Sequence, residues 1–201
     1  MVIGSGTSLD LVRRKPHTPK KETTRSITYR LPEKSIEELE TEAMNKGISQ
    51  NVLVKQIVDQ YLQWGRFSSK ISMIPVPAKI LAKLGSNLEG MIIYEIIDAI
   101  KPVIKESVMF MKGSYDLKRC IETLEDYMRA SGLVSDHRMQ GGIHHFIIQH
   151  ELGIKWSLFT EHLLKEIFHE FLPQQNIKFQ TTDNTVIATI ALGSDWSEHD
   201  Y

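Results

Sequence analysis

The chain has a single cysteine, Cys120, among its 201 residues. One cysteine cannot form a disulfide within the chain or a cysteine-rich metal site, and such usage is typical of a reducing compartment. Long apolar runs are also scarce. Residues 91–104 form the most apolar stretch, but charged residues and Pro102 interrupt it, which makes it too short and too charged to span a bilayer. Residues 1–11 lack the apolar core of a secretory signal, so we expect a cytoplasmic protein with no membrane partner.

Signatures of catalysis are lacking as well. The sequence contains no phosphate-binding glycine loop, no HExxH motif and no GxSxG motif. Cys120 lies in a predicted helix without a local nucleophile signature, so the sequence does not predict an enzyme. His144 and His150 share one face of a predicted strand and are the weak candidates for metal ligands, but their spacing does not require a metal. We expect no cofactor, and the sequence leaves an effector of the C-terminal part open.

The charge is nearly balanced overall but unevenly distributed. Lys and Arg number 24 and Asp and Glu number 25, which gives a net charge of -1. Residues 1–30, however, carry seven basic residues against only Asp10 and Glu22, whereas residues 193–201 are acidic with two aromatic side chains. A basic end of this kind indicates contact with nucleic-acid phosphates, so we expect residues 1–24 to be a flexible arm that binds DNA.

Residues 25–31 alternate between polar and apolar side chains. Successive side chains of a strand point to opposite faces, so this alternation predicts a short strand with one apolar and one polar face. Pro32 lacks an N–H group and would end the strand. The apolar face comprises Ile27, Tyr29 and Leu31, and the polar face comprises Ser26, Thr28 and Arg30.

Two helices are predicted to follow this strand. Apolar residues at steps of three and four, including Leu39, predict a first helix over residues 33–46, which ends at Gly47. Ser49 is a favourable N-cap for a second helix over residues 50–64, whose apolar face is broad. One strand and two short helices bury too little apolar surface to be stable alone. The strand therefore needs another strand to pair with, and a second copy of the chain can supply it.

The order and lengths of these pieces resemble the ribbon-helix-helix family of DNA-binding proteins, which includes the Arc and MetJ repressors. The resemblance covers residues 25–64. It implies an intertwined dimer in which two strands, one from each chain, pair and enter the major groove. It assigns base contacts to Ser26, Thr28 and Arg30. Phosphate contacts would fall to the second helix and the arm, and the dimer core to apolar residues of the strand and both helices. The phosphate set is Ser49, Gln50, Asn51, Arg25, Lys20 and Lys21, and the core set is Ile27, Tyr29, Leu31, Leu39, Leu53 and Ile57.

The rest of the chain reads as a linker over residues 65–70, an α+β domain over residues 71–192 and the acidic tail. Within that domain we expect a helix-rich first part and an end built from a strand, a helix and a hairpin. Related regulators carry assembly or effector-sensing domains at this position, which leaves open a tetramer formed through it. The predicted function is a dimeric, sequence-specific transcription regulator that binds double-stranded DNA. An antitoxin and a chromatin-architectural protein are the alternatives that use the same ribbon.

Overall fold

A pair of short helices opens the part of the chain that the structure describes. The computed structural model describes residues 25–192. Helix α1 spans Glu33–Asn45, and its apolar residue Ala43 is buried. Gly47, at a φ of 64°, supplies the left-handed conformation that turns the chain after α1. Helix α2 spans Gln50–Gln60 and starts at Ser49, whose side chain accepts a hydrogen bond from the N–H of Val52.

Residues 25–31 do not form the strand that their alternation predicts. They have no regular secondary structure, and the described strands all lie between Val134 and Ala191. A strand is defined by hydrogen bonds to a neighbouring strand, and none of the described strands pairs with this segment. The predicted N-terminal βαα module with its intertwined ribbon is therefore wrong as a description of the fold, and α+β character arises only at the C-terminal end.

The predicted linker over residues 65–70 is also largely helical. Helix α2 continues without a break into a π-helical turn, Tyr61–Gly65, and then into α3, Arg66–Ser68. Phe67 in α3 packs edge-on against Phe110, with ring centroids 5.7 Å apart. This tertiary contact orders a stretch whose small polar residues alone indicate a loop. Residues 71–76 form a turn followed by irregular chain.

Four further helices surround the core. They are α4 (Ala78–Ser86), α5 (Gly90–Lys112), α6 (Leu117–Ala130) and α7 (Ile154–Phe171). The carboxylate of Asp116 caps α6 by accepting a hydrogen bond from the N–H of Arg119. Within residues 25–192, no helix has both the length and the apolar character needed to cross a membrane.

A four-stranded antiparallel sheet forms the C-terminal half. Its strands are β1 (Val134–Gln140), β2 (Ile143–Gln149), β3 (Lys178–Thr181) and β4 (Thr185–Ala191), in the spatial order β1-β2-β4-β3. A two-residue turn joins β1 to β2, and both of its residues, Gly141 and Gly142, have positive φ angles as tight hairpins require. The two central strands, β2 and β4, come one from each hairpin and pair antiparallel with each other.

The hydrophobic core lies between one face of this sheet and the helices. Alternate residues of β2 and β4 are buried, as period-two side-chain placement dictates. They pack against α6 and α7, where the ring of Phe168 lies 5.5 Å from that of Phe146. The opposite face of the sheet carries half-buried or exposed residues, an arrangement typical of antiparallel sheets with one face toward water.

Candidate nucleic-acid interface

The N-terminus of α2 has the features of an anion-binding site. Ser49 receives the N–H of Val52 at 3.3 Å, which leaves the N–H groups of Gln50 and Asn51 without acceptors inside the helix. No acidic side chain lies in the first turn of α2, so the positive end of the helix dipole is not neutralised there. The side-chain amide of Gln50 instead points back to the carbonyl of Ile36 in α1, at 3.5 Å. The backbone N–H of Gln50 is thus better placed than its side chain to bind a phosphate.

The predicted base-contacting residues are accessible. Ser26, Thr28 and Arg30 are all exposed, as is Arg25, which was assigned to phosphate contact. The apolar residues between them are exposed too, and 73% of the surface of Tyr29 is open to solvent. In a single chain, residues 25–31 therefore present both of their side-chain sets to water, and no contact distinguishes a DNA-facing side from a core-facing side.

Most of the predicted dimer core is exposed in the single chain. Leu53 of α2 is buried, with 3% of its surface accessible. Leu39 is half-buried. By contrast, Ile57 is 48% exposed, and its apolar neighbours Val54 and Val58 on α2 are exposed too. Exposed apolar residues of this region, which we call the N-terminal apolar surface, are Ile27, Tyr29, Leu31, Ile36, Met44, Val52, Val54, Ile57, Val58, Tyr61 and Leu62.

The basic arm lies outside the described residues. Lys20 and Lys21, both assigned to phosphate contact, belong to it, and so do Arg13, Arg14 and Lys15. The acidic tail over residues 193–201 is likewise outside the described range.

A junction that the sequence did not reveal attaches these helices to the C-terminal half. Arg129 of α6 donates a hydrogen bond from Nη1 to Oε1 of Gln63, at 2.9 Å. The rings of Trp64 and Tyr127 lie 5.6 Å apart beside it. Arg129 also pairs with the largely buried Asp126, at 3.1 Å, which holds its guanidinium in place. These residues lie far apart in the chain, and contacts between such distant residues leave no local pattern in a sequence.

His150, one of the weak metal candidates, is used in a buried chain of hydrogen bonds. The N–H of Leu152 donates to Nδ1 of His150 at 3.1 Å, so the neutral ring carries its proton on Nε2. Nε2 lies 3.1 Å from Oγ of the fully buried Ser157, whose hydroxyl in turn donates to the carbonyl of Asp183 at 3.0 Å. A histidine that donates to a serine cannot accept that serine's proton. The pair therefore joins β2, α7 and the β3–β4 turn, and it does not form a nucleophile and base.

His144, the other candidate, lies in a different cluster. Its Nδ1 is 2.9 Å from Nε2 of His137 on the adjacent strand, so one of these two nitrogens carries a proton and donates it in a hydrogen bond to the other. Burial first, and the neighbouring His144 second, lower the pKa of His137 to about 4, which keeps the ring neutral near pH 7. Within residues 25–192, no three His, Cys, Asp or Glu side chains converge as a metal site would require. The two candidate histidines are thus engaged separately.

Cys120 lies in the core, with 1% of its surface exposed. Burial, followed by the charge of Glu170, raises the pKa of its thiol to about 12. Because the thiolate is the reactive form of cysteine, a thiol held protonated at neutral pH is a poor nucleophile. Cys120 acts as a small apolar core residue.

Comparison with known proteins adds no assignment. The sequence matches no protein-family model and no curated protein.

Proposed function

We propose that this protein is a dimeric, sequence-specific DNA-binding transcription regulator, active in the cytoplasm. The observation that carries the proposal is the serine-capped, acid-free N-terminus of α2, on a helix pair that leaves its apolar surface in water. Exposed N–H groups at a helix start attract phosphate. An exposed apolar patch of this kind marks a site for another macromolecule.

In the proposed complex, residues 25–31 and the start of α2 face the DNA. Arg30 is the residue best suited to specificity, because a guanidinium can donate two hydrogen bonds to O6 and N7 of guanine. Ser26 and Thr28 can contact several bases and discriminate less. The basic residues before Arg25 add phosphate contacts that are independent of sequence. This division of roles does not depend on residues 25–31 forming a strand.

A second copy of the chain is the proposed partner of the N-terminal apolar surface. Sequence-specific DNA sites are commonly read by two-fold symmetric dimers, and a two-fold interface uses the same surface on both chains. The antitoxin alternative expects a short toxin-binding tail after the DNA-binding part. Residues 78–192 instead form a sheet covered by helices, which favours a regulator with a folded second half.

Selection of bound sequences from a random DNA pool tests specificity directly. We expect the wild-type protein to enrich one motif and Arg30→Ala to lose preference at one base pair of it, at a cost of about 1–3 kcal/mol at that position. Lys34→Ala is the matched control, since Lys34 is an exposed lysine of α1 and its removal changes the charge equally. Enrichment of no motif would contradict specific regulation, and an unshifted motif in Arg30→Ala would remove that residue from base recognition.

A pair of cap variants tests the phosphate site. Asp and Asn both replace Ser well as N-caps, so Ser49→Asp and Ser49→Asn should both keep helix α2 folded. The added carboxylate of Ser49→Asp would repel a phosphate, and we expect DNA affinity to fall at least about tenfold, or about 1.4 kcal/mol. Ser49→Asn should bind nearly as the wild type does. Equal affinities for the two variants would show that no phosphate lies at this helix start.

A further inference from the structure

Strand β1 is an open edge of the sheet. It pairs with β2 on one side, and none of the strands within residues 25–192 pairs with its other side. Most of its residues are exposed, including Val134, Asp136, Arg138 and Gln140. One side of this seven-residue strand therefore presents backbone N–H and C=O groups that another strand could bind.

The two edges of the sheet differ in how they are protected. Natural sheets block exposed edges with proline, charged side chains (lysine above all), bulges or very short strands. The far edge follows this rule, because β3 has only four residues and begins with Lys178. In contrast, β1 contains no proline or lysine and pairs residue for residue with β2, without a bulge, from Val134 to Gln140. Its two charged residues, Asp136 and Arg138, have opposite signs and so need not repel a second copy of the same strand. Of the two edges, β1 has the properties of one that accepts a partner.

The charges of β1 select both the partner and the register. We propose that β1 pairs antiparallel with β1 of a second copy of this chain, about a two-fold axis at His137. In this register Asp136 lies opposite Arg138 of the other copy, and Arg138 lies opposite its Asp136. Opposite charges that face each other across two strands stabilise the pair, and like charges destabilise it.

Neighbouring registers lack this complementarity. Opposite residues point to the same face of the sheet only if the pairing is shifted in steps of two residues. One such shift places Asp136 opposite the other Asp136, and the shift in the other direction places Arg138 opposite the other Arg138. The register centred on His137 is also the one in which all seven residues of β1 are paired. Charge and strand length thus favour the same arrangement.

The resulting contact is self-complementary on both faces of the sheet. On the outer face Val134 lies opposite Gln140, beyond the charged pairs. On the helix-covered face Ser135 lies opposite Met139, and both helical layers remain on the same side. The two sheets of four strands then continue into one. In the single chain Arg138 pairs with its own Asp136, at 2.6 Å, so each copy brings a preformed charge pair to the contact.

This association goes beyond the proposed function and does not depend on DNA binding. One pair of strand edges covers much less than the roughly 800 Å² per partner of a stable protein complex. We therefore expect weak association through β1 alone. Attachment to a second interface would raise the effective concentration of one edge near the other, and the combined assembly would be correspondingly tighter.

Cysteine pairs in the full-length protein test the register without disturbing the charges. Directly opposite residues of antiparallel strands have Cα atoms roughly 4.5–5.5 Å apart, which suits a disulfide. We expect Val134→Cys and Gln140→Cys, co-expressed with different tags, to form a crosslinked pair of the two chains under mild oxidation. Neither variant alone should crosslink, because its cysteines would lie at opposite ends of the paired strands. The native Cys120 is buried and should not interfere. Crosslinking of either variant with itself, or no crosslinking of the mixture, would overturn the proposal.

Charge variants then test the recognition. Asp136→Arg gives a strand with two positive charges and Arg138→Asp a strand with two negative charges, so each should self-associate through β1 at least about tenfold more weakly than the wild type. Co-expression of the two should restore association, since each strand then faces opposite charges. Sedimentation over a concentration series measures all four samples. A fifth sample, the uncharged double variant Asp136→Asn/Arg138→Gln, tests the opposite role of these charges. If the charges keep the edge free, this variant will associate more tightly than the wild type, and the proposal fails.

Discussion

The two ends of the described chain differ in how many of their apolar side chains are buried. Helices α1 and α2 bury only Ala43 and Leu53 and leave the N-terminal apolar surface open. The C-terminal half buries a continuous cluster drawn from α5, α6, α7 and the sheet. Burial of apolar area is the main stabilising contribution to folding. The C-terminal half therefore has a buried core of its own within one chain, although α5 also leaves Met109 and Phe110 about half exposed. The helix pair has no such core and gains its stability from neighbours, either the α6 junction or a partner.

Removal of a core side chain should produce the largest effect. Phe168 is 1% exposed and lies at the centre of the cluster. We expect Phe168→Ala to lower the free energy of unfolding by about 3–5 kcal/mol, measured by urea denaturation, because it leaves a cavity. Val103→Ala, at a residue 53% exposed, serves as the control and should have little effect. A small loss for Phe168→Ala would mean that the C-terminal half is not tightly packed.

The close approach of α4 to α7 should be the next most sensitive feature. A Cβ atom at Gly85 would lie 2.4 Å from Nε1 of Trp156, the group that donates to the carbonyl of Leu81. We expect Gly85→Ala to destabilise the protein by about 1–3 kcal/mol, as overpacking does. Gly90→Ala is the matched control, because it is also in a helix and no atom lies within 4 Å of its added Cβ. Equal unfolding curves for the two variants would show that α4 is not fixed against Trp156.

A charge within the N-terminal apolar surface should affect association rather than folding. We expect Ile57→Asp to raise the dimer dissociation constant at least about tenfold, or about 1.4 kcal/mol, because a carboxylate would be buried at the contact. The far-ultraviolet circular dichroism should be unchanged. Gln56→Asp adds the same charge to an exposed polar position of α2 and should associate normally. If Ile57→Asp dimerises like the wild type, a second copy does not cover this surface.

Acid should destabilise the C-terminal half through two of its histidines, His137 and His150. The pKa of His137 is lowered to about 4, mainly by burial, and burial also lowers the pKa of His150 from its ordinary 6.5. A group with a lowered folded-state pKa of this kind binds protons more readily when unfolded. Its contribution to stability is therefore complete above pH 6.5 and is lost as the pH falls toward 4.

The measurement is the free energy of unfolding between pH 7 and about 4, compared among variants. His137→Gln should flatten the decline, and the exposed His169→Gln should leave it unchanged. A decline that is identical in all three proteins would assign the acid sensitivity to carboxylates instead.

Local chemistry allowed part of this fold to be predicted. The Ser49 cap and the break at Gly47 are properties of neighbouring residues, and α1 and α2 begin at the predicted positions. The alternation in residues 25–31 misled because a strand also requires a partner, which the alternation cannot supply. Strand β1 was missed for the opposite reason. Its sequence, VSDHRMQ, is polar, and it is a strand because it pairs with β2.

The candidate site likewise has some features that the sequence predicts and others that it does not. Exposure of Ser26, Thr28 and Arg30 follows from polarity, and the helix start at Ser49 follows from capping preference. The junction of Arg129 with Gln63, and of Trp64 with Tyr127, joins residues more than sixty positions apart and has no sequence pattern. The roles of His150 and Ser157 likewise depended on which ring nitrogen accepts a hydrogen bond, which is a matter of geometry.

The uninterrupted course of α2 through the π-helical turn has a mechanical consequence. Gln63 and Trp64 are held by α6, and at 1.5 Å per residue the start of α2 lies about 20 Å from that hinge point. A small change in the helix direction at α6 would therefore produce a larger displacement at Ser49. A tilt of about 10° at α6 would move Ser49 by about 3–4 Å, comparable to the rise of one base pair along DNA. In the proposed dimer, a small rearrangement in the C-terminal half would therefore change the span between the two helix starts at which we propose phosphate contact.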